Sequence, residues 1–346
     1  MKICHVNLAS SYHGGENQTL TLLKQQLTMG YELVVVAKLG SPFYRSAEEL
    51  GCTMIEAKNA LQSHGSAITK GCALIHVHQG RAIYWALVQH LLHGVPYIVT
   101  RRIDNPLKKK WLANIAYGKA RTIVGLSTEI VNRIHAAYPN ATVEKIPSSP
   151  VQYPTNKANL SAIHRQFEGK FLIIHAANMV PHKGFNVTID AARQVEESHP
   201  NLHFALLGDG KERSNLELKA KGLSNITFMG KQSNMGDWFA SANMQIHPSH
   251  SEGLGSVILE GLHAGLPVVA TNAGGIPDII DDRESGLLVP PGDPSALAER
   301  IIQLAECESL RQHVITGAKE KLKPFLIEST ALRYEAIYQR IQEQNQ

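Results

Sequence analysis

No run of 18 apolar residues occurs anywhere in this 346-residue sequence, so no segment has the length and composition of a membrane-spanning helix. The first eight residues hold one Lys and an apolar stretch broken by His5 and Asn7. That is too short and too polar for a secretory leader, and the expected location is the cytoplasm. Cysteine is scarce too. Cys4, Cys52, Cys72 and Cys307 include no pair at the close spacing of a zinc or redox site, so they read as reduced, buried thiols. Charge is thin: 18% of residues are Asp, Glu, Lys or Arg, and the formal net charge is +4. This leaves neither the excess that keeps chains disordered nor a field that argues for a nucleic-acid partner. Internal repeats and low-complexity tracts are absent as well.

What the chain does have is apolar material for two cores, with 43% hydrophobic residues spread over more length than one ordinary domain needs. Short β-branched runs at 2–8, 31–37, 73–78, 95–100 and 122–126 alternate with stretches of helical spacing. Ala82, Leu87, Leu91 and Leu92 form one such stretch; Leu107, Trp111, Ile115 and Ala116 form another. Near-continuous apolar strands interleaved with helices predict parallel sheets covered on both faces. The rhythm pauses over 147–167, where Pro147, Pro150 and Pro154 lie among Ser, Thr and Asn, which predicts a linker. It restarts with strands expected at 170–176, 202–207, 226–229, 243–247 and 267–271. The expected architecture is therefore α/β with two Rossmann-like domains, residues 1–152 and 153–327. A helical tail at 328–346, set off by Lys323-Pro324, is expected to rejoin the first domain.

The densest chemistry lies in 248–278, which reads as strand end, Gly-rich loop, helix, strand, Gly-Gly turn and helix. A Gly-rich loop feeding a helix presents unpaired backbone N–H groups and the positive end of the helix dipole, a combination suited to a diphosphate. Glu252 falls in the loop and Glu260 eight residues on, two turns into the expected helix, so both can face one cleft. Carboxylates accept hydrogen bonds from sugar hydroxyls. Alone, two such acids are ordinary solvated residues at a helix start; the sequence around them changes that reading.

The segment closely resembles the Glu-x(7)-Glu signature of retaining, family-4-type glycosyltransferases of the GT-B fold, the glycosyl transferases group 1. The match continues through Gly-Leu-Pro-Val-Val-Ala-Thr at 265–271 and Gly274-Gly275. The resemblance implies two Rossmann-like domains facing each other across a cleft, a nucleotide-sugar donor bound by the second domain and an acceptor bound by the first. It implies that Glu260 holds the ribose hydroxyls, that Glu252 lies near the donor sugar, and that Gly253, Leu254, Gly255 and Ser256 lend backbone donors to sugar and phosphate. A second match, Pro181-His182-Lys183-Gly184, follows the strand expected to end at residue 176. Lys183 there resembles the family's donor-phosphate lysine, at a strand's C-terminal end where open α/β sheets bind ligands.

The first half carries weaker signals. Gly14-Gly15 sits between the first strand and a helix and resembles the family loop that closes over the donor phosphate and sugar. Two positions depart from the family pattern: Asn178 stands where many members carry an Arg, and Arg102 where many carry a His. Arg101 or Arg102 is then expected to supply the positive charge that Asn178 cannot. His76-x-His78 sets two rings on one strand face; with no third ligand nearby in sequence, a structural or acceptor-side role is expected rather than a metal. Gly208-Asp209-Gly210 lacks the rest of a dinucleotide fingerprint, and Asp281-Asp282 is a poor metal motif. Between Arg101 and Arg121 seven cations accompany one acid, with Trp111 and Tyr117 interleaved. Beside a plain scaffold helix, this basic stretch predicts docking on an anionic membrane surface, peripheral on the inner face of the plasma membrane.

By resemblance the expected activity is retaining transfer of a hexose from a nucleotide diphosphate sugar, UDP-linked in preference to GDP- or ADP-linked. The expected acceptor is a glycolipid, lipopolysaccharide or polysaccharide, and no cofactor or metal is required. Catalysis is expected from Lys183, Glu252 and Arg102. Two alternatives stay open: a sugar-nucleotide epimerase of the same plan, and a nucleotide-sugar-binding protein with a decayed site.

Overall fold

A computed structural model of the chain describes residues 1–11, 14–102 and 111–345. It divides into two compact units, Met1–Ser149 with Pro324–Gln346, and Pro150–Lys323. The first unit runs β1 (Lys2–Asn7), α1 (Gly14–Thr28), β2 (Glu32–Ala37), α2 (Pro42–Glu49), β3 (Thr53–Glu56), β4 (Leu74–Val77), α3 (Ala82–His93), β5 (Tyr97–Arg101), α4 (Trp111–Lys119), β6 (Thr122–Gly125), α5 (Thr128–Ala137) and β7 (Val143–Lys145). The second runs α6 (Lys157–Gln166), β8 (Phe171–Ala176), α7 (Phe185–Val195), β9 (Leu202–Leu207), α8 (Arg213–Lys219), β10 (Ile226–Gly230), α9 (Met235–Ser241), β11 (Met244–His247), α10 (Ser256–His263), β12 (Val268–Thr271), α11 (Ile276–Ile279), β13 (Leu287–Val289), α12 (Pro294–Glu306) and α13 (Glu308–Leu322). A last helix, α14 (Ile327–Glu343), belongs to the first unit.

Both sheets are parallel, and both follow the doubly wound order: β3-β2-β1-β4-β5-β6-β7 and β10-β9-β8-β11-β12-β13. Central strands such as β2 and β11 are buried on both faces, apart from Glu32 at the start of β2, because helices cover both. In the second unit Val187, Ile189 and Val195 of α7 and Leu297 and Ile301 of α12 pack one side of the sheet, while Ile163, Trp238 and Phe239 from α6 and α9 pack the other. Helix starts follow local capping chemistry. Ser41 accepts from the Tyr44 N–H ahead of Pro42, and Asp293 accepts from the N–H groups of Ser295 and Ala296 ahead of Pro294.

Several expectations need correction. Residues 157–166, read as linker, form α6, started by Asn156, whose side chain accepts from the N–H groups of Ala158 and Asn159. Its helical face buries only Ile163, too little periodicity to register in sequence. The strands β3, β7 and β13 were missed. Cys307 is exposed and Cys72 only half-buried, so the thiols are not uniformly interior. Arg101 is buried at the end of β5 and Arg102 half-buried beyond it, so neither belongs to an exposed basic helix face with Lys119. Leu107 and Lys108 to Lys110 lie outside the described residues.

Helix α14 lies on the face of the first sheet that also carries α1, with Ala331, Tyr334, Ile337, Tyr338 and Ile341 in the core. Its seat is specified by hydrogen bonds as well as by apolar area. The Tyr338 hydroxyl lies 2.6 Å from His76 Nδ1 and accepts from Gln26 Nε2 at 3.1 Å, and the Tyr334 hydroxyl meets Thr100 Oγ1 at 2.9 Å. Changing Tyr338→Phe keeps the apolar contacts and strands two buried polar groups, a cost of about 1–3 kcal/mol. Urea denaturation of the variant should show a lowered midpoint with an unchanged slope. An unmoved midpoint would mean that the network does not hold the helix.

Candidate functional site

In a doubly wound sheet, ligands bind beyond the C-terminal ends of the strands where the strand order reverses. In the second unit the reversal lies between β8 and β11. The loop after β8 carries Lys183, and the loop after β11 carries Glu252. Two glycines bring these loops, and the loop after β12, together. Gly184 has φ +73°, and a Cβ there would stand 1.8 Å from the Pro248 carbonyl oxygen; Gly274 has φ +56°, with its would-be Cβ 2.0 Å from the Glu252 carbonyl oxygen. Only glycine allows either approach. The His250 N–H donates to the His182 carbonyl at 2.8 Å and the Gly275 N–H to the Glu252 carbonyl at 2.9 Å, which ties the loop after β11 to those after β8 and β12.

The side chains then converge. Lys183 Nζ donates to Glu252 Oε2 at 2.5 Å, and His247 Nε2 lies 2.8 Å from the same oxygen and 2.9 Å from Ser249 Oγ. Lys183 and Glu252 retain 19% and 14% of their side-chain exposure, so a ligand can reach a pair already largely stripped of water. Burial alone would raise the Glu252 carboxyl. The hydrogen bond and electrostatic pull of His247, then those of Lys183, outweigh it and bring the group down to about 2.

Glu260 stands differently. It is the fifth residue of α10, a little over one turn in rather than the two expected, because the helix starts at Ser256. Burial pushes its carboxyl up to about 8, opposed by a hydrogen bond from Tyr153. Gly255, at φ +96°, precedes α10, and no side chain caps the helix. The first N–H groups and the dipole of α10 are thus offered to an anion. Gly253 and Ser256 are half-buried at this mouth, whereas the Leu254 side chain is buried and leaves only its backbone for a ligand.

The remaining candidates gather in the first unit. Gly14 and Gly15 open α1 after β1, and a Cβ on Gly15 would lie 3.4 Å from Arg102 Cδ. Arg102 Nη1 donates to Ser148 Oγ and Nη2 to His78 Nδ1, both at 3.4 Å, while its buried Nε has no partner among the described residues. Burial pulls the guanidinium below its usual range, against support from Tyr334 and Glu16. Asn178 is exposed in the second unit.

The sequence reading missed three residues. His247 and Ser249 flank Pro248 at the edge of the Gly-rich signature, where alternation along β11 could have flagged a polar pair facing Glu252. Tyr153 lies in the Pro-rich linker and gives no signal. It also missed that His76 and His78 have a third imidazole beside them: His5, whose ligand atom lies within 4.8 Å of theirs. The pairing of β1 with β4 sets His5 opposite His76. His5 and His78 are stacked, and His76 is tilted against both. His76 and His78 have centroids 3.9 Å apart, His5 Nδ1 meets His78 Nε2 at 2.8 Å, and His76 spends its nitrogens on Tyr338 and Thr100. Burial, then the neighbouring histidines and Arg102, hold His76 and His78 well below the usual imidazole range. Such a cluster, beside a cation, works as a neutral hydrogen-bonded core.

Residues 156–321 match the model of the family glycosyl transferases group 1. The chain is similar to the uncharacterized glycosyltransferase MJ1178 of Methanocaldococcus jannaschii, 27% identical over 296 residues, 82% of this chain and 78% of that protein. It is similar to the N-acetyl-alpha-D-glucosaminyl L-malate synthase of Bacillus anthracis, 27% identical over 225 residues; there it spans 62% of this chain and 58% of the relative's length. Among solved structures, Anabaena Alr3699/HepE in complex with UDP superposes with a TM-score of 0.85 at 18% identity, covering 98% of this chain and 100% of that one. The same protein in complex with UDP-glucose superposes at 0.83, with 19% identity and the same coverage. At that identity the likeness concerns the fold, which is GT-B.

The Glu260 carboxyl gives a stability test. Its folded value of about 8 lies above the ordinary 4.5, so its stabilising contribution is complete below about 4.5 and is lost as pH rises through about 8. Glu260→Gln does not titrate. The melting temperature of the variant relative to the parent should therefore climb across that window and level off above it. A difference that stays constant with pH would show Glu260 to be ionised when folded.

Proposed function

Because the chain belongs to the glycosyl transferases group 1 family and has the GT-B fold, we propose that it transfers a hexose, with retention, from a UDP-sugar held by the second unit to a glycolipid or oligosaccharide acceptor held by the first. The observation that carries this reading is the Lys183–Glu252 pair at the strand-order reversal, beside the uncapped start of α10 and one turn from Glu260. Lys183 and the α10 N–H groups take the diphosphate, Glu260 takes the ribose diol, and Glu252 accepts from the donor sugar. The crystallisation of HepE with UDP and UDP-glucose supports uridine over other bases. The step itself is electrostatic placement: negative charge growing on the diphosphate as the sugar becomes oxocarbenium-like meets fixed positive charge and dipoles in a site poor in water. In the first unit, Arg102, with Gly14 and Gly15 beside it, is proposed as a further catalytic cation.

The acceptor reading rests on surface chemistry. Leu91 and Leu92 near the end of α3, and Trp111 and Leu112 at the start of α4, are exposed, Trp111 by 77%, and the two helices touch. Lys108, Lys109 and Lys110 immediately precede Trp111 in sequence. Exposed apolar side chains preceded in sequence by lysines suit the headgroup region of an anionic membrane, each Lys contributing on the order of 1 kcal/mol. This supports a membrane-borne acceptor, lipopolysaccharide or glycolipid, and peripheral attachment of a cytoplasmic protein. No helix among the described residues is long and apolar enough to cross a membrane.

Two experiments test these assignments. UDP should raise the melting temperature more than GDP or ADP at equal concentration. In a transfer assay with UDP-glucose, Lys183→Ala should lose roughly 10²–10³-fold in turnover and Arg102→Ala a smaller factor, with little change in melting temperature. Unaltered turnover in Arg102→Ala would remove that residue from the chemistry, and isomerised donor without transfer would favour an epimerase. Sedimentation with liposomes should show binding that depends on acidic lipid and weakens in Trp111→Ala; equal binding to neutral liposomes would leave α4 a scaffold element.

A further inference from the structure

His247 is the last residue of β11, fully buried, and sits at the base of the donor site. A carboxylate can only accept a hydrogen bond, so at 2.8 Å from Glu252 Oε2 the His247 Nε2 must carry its hydrogen. The ring has little freedom to turn. It meets His175 edge to face with centroids 5.9 Å apart, and His175 is itself stacked on Phe185 at 3.8 Å. Ser249, the other neighbour of Nε2, is held through its carbonyl, which accepts from Thr271 Oγ1 at 2.5 Å.

Both protein groups that meet the Glu252 carboxyl use one oxygen, Oε2. Oε1 is then the acceptor left for a ligand. The two groups are not equivalent. On the reading proposed above, on which this inference rests, Lys183 is drawn toward the diphosphate when the donor arrives. His247 is buried on a strand end and has nowhere to go. We infer that His247 is the positioning residue of the donor site: it anchors Oε2 of Glu252 through Nε2–H, so that Oε1 stays turned to the hydroxyls of the donor sugar while Lys183 engages phosphate. The anchor acts on the sugar and not on the nucleotide, whose ribose and phosphates fall to Glu260, Lys183 and α10. A histidine that merely filled the core would affect both alike.

The test measures binding of UDP and of UDP-glucose, by calorimetry, to the full chain and to His247→Leu, His247→Gln and Glu252→Gln. His247→Leu should weaken UDP-glucose about tenfold and leave UDP unchanged. His247→Gln, which can place an amide N–H near the same point, should restore most of the loss. Equal weakening of both ligands by His247→Leu, or no weakening of either, overturns the inference. If Glu252→Gln binds UDP-glucose as the parent does, or the parent binds neither ligand, the donor-site reading is what fails. A second measurement does not need the Leu variant to fold. In ¹⁵N-histidine spectra of the parent, assigned with His247→Gln, His247 Nε2 should carry the proton and its resonance should move in Glu252→Gln. An Nε2 without a proton overturns the anchor whatever the donor.

Discussion

A carboxylate kept ionised in a place where burial would neutralise it is the constraint on which the second unit's site depends. Glu252 is largely withdrawn from water, and its group is nonetheless brought down to about 2. That requires opposite charge and a hydrogen bond at short range, since desolvating an ion costs several kcal/mol unless partners make it good. The partners come from two places in sequence, Lys183 after β8 and His247 at the end of β11, while the backbone around Gly274 fixes the loop itself. The loops can supply them only because Gly184 and Gly274 let main chains pass closer than any side chain permits. A substitution at either glycine would therefore disturb the charge pair without touching it.

The same segment holds a second carboxyl in the opposite condition. Glu260 is only eight residues from Glu252, yet burial dominates its environment and raises it to about 8. Two identical side chains thus have titration ranges driven apart by surroundings alone, the pattern expected where acids have different tasks. An ionised Glu252 can only accept hydrogen bonds. A protonated Glu260 costs the protein less than a buried charge would.

What could be read in advance follows from where the signal lies. Strands at the centre of each sheet are buried almost throughout, so Lys2–Asn7 and Phe171–Ala176 stand out as largely apolar runs, while Met244–His247 is shorter and buries Gln245 and His247 on one face. The missed strands β3, β7 and β13 are all sheet edges of three or four residues, and two of them, Thr53–Glu56 and Val143–Lys145, contain no fully buried residue. An edge strand has less to hide and writes less into the sequence. The Gly-rich segment was legible because Glu252, the α10 start and Glu260 are neighbours in the chain. The His5–His78 contact spans 73 positions and exists only because β1 pairs with β4. Tyr153 and Asn156 are likewise given meaning by packing in the second unit, against Glu260 and Asp237, that no local pattern announces.

The two units repeat one topology, but their strand-order reversals carry different chemistry. In the second unit the reversal holds an ion pair and an uncapped helix start. In the first, the strands on either side contribute His5, His76 and His78, neutral and spent on one another and on tyrosine and threonine hydroxyls, with Arg102 the cation at the margin. The family match stops at the second unit's borders, 156–321. In the first unit the crevice is filled by a hydrogen-bonded core whose polar groups secure α14.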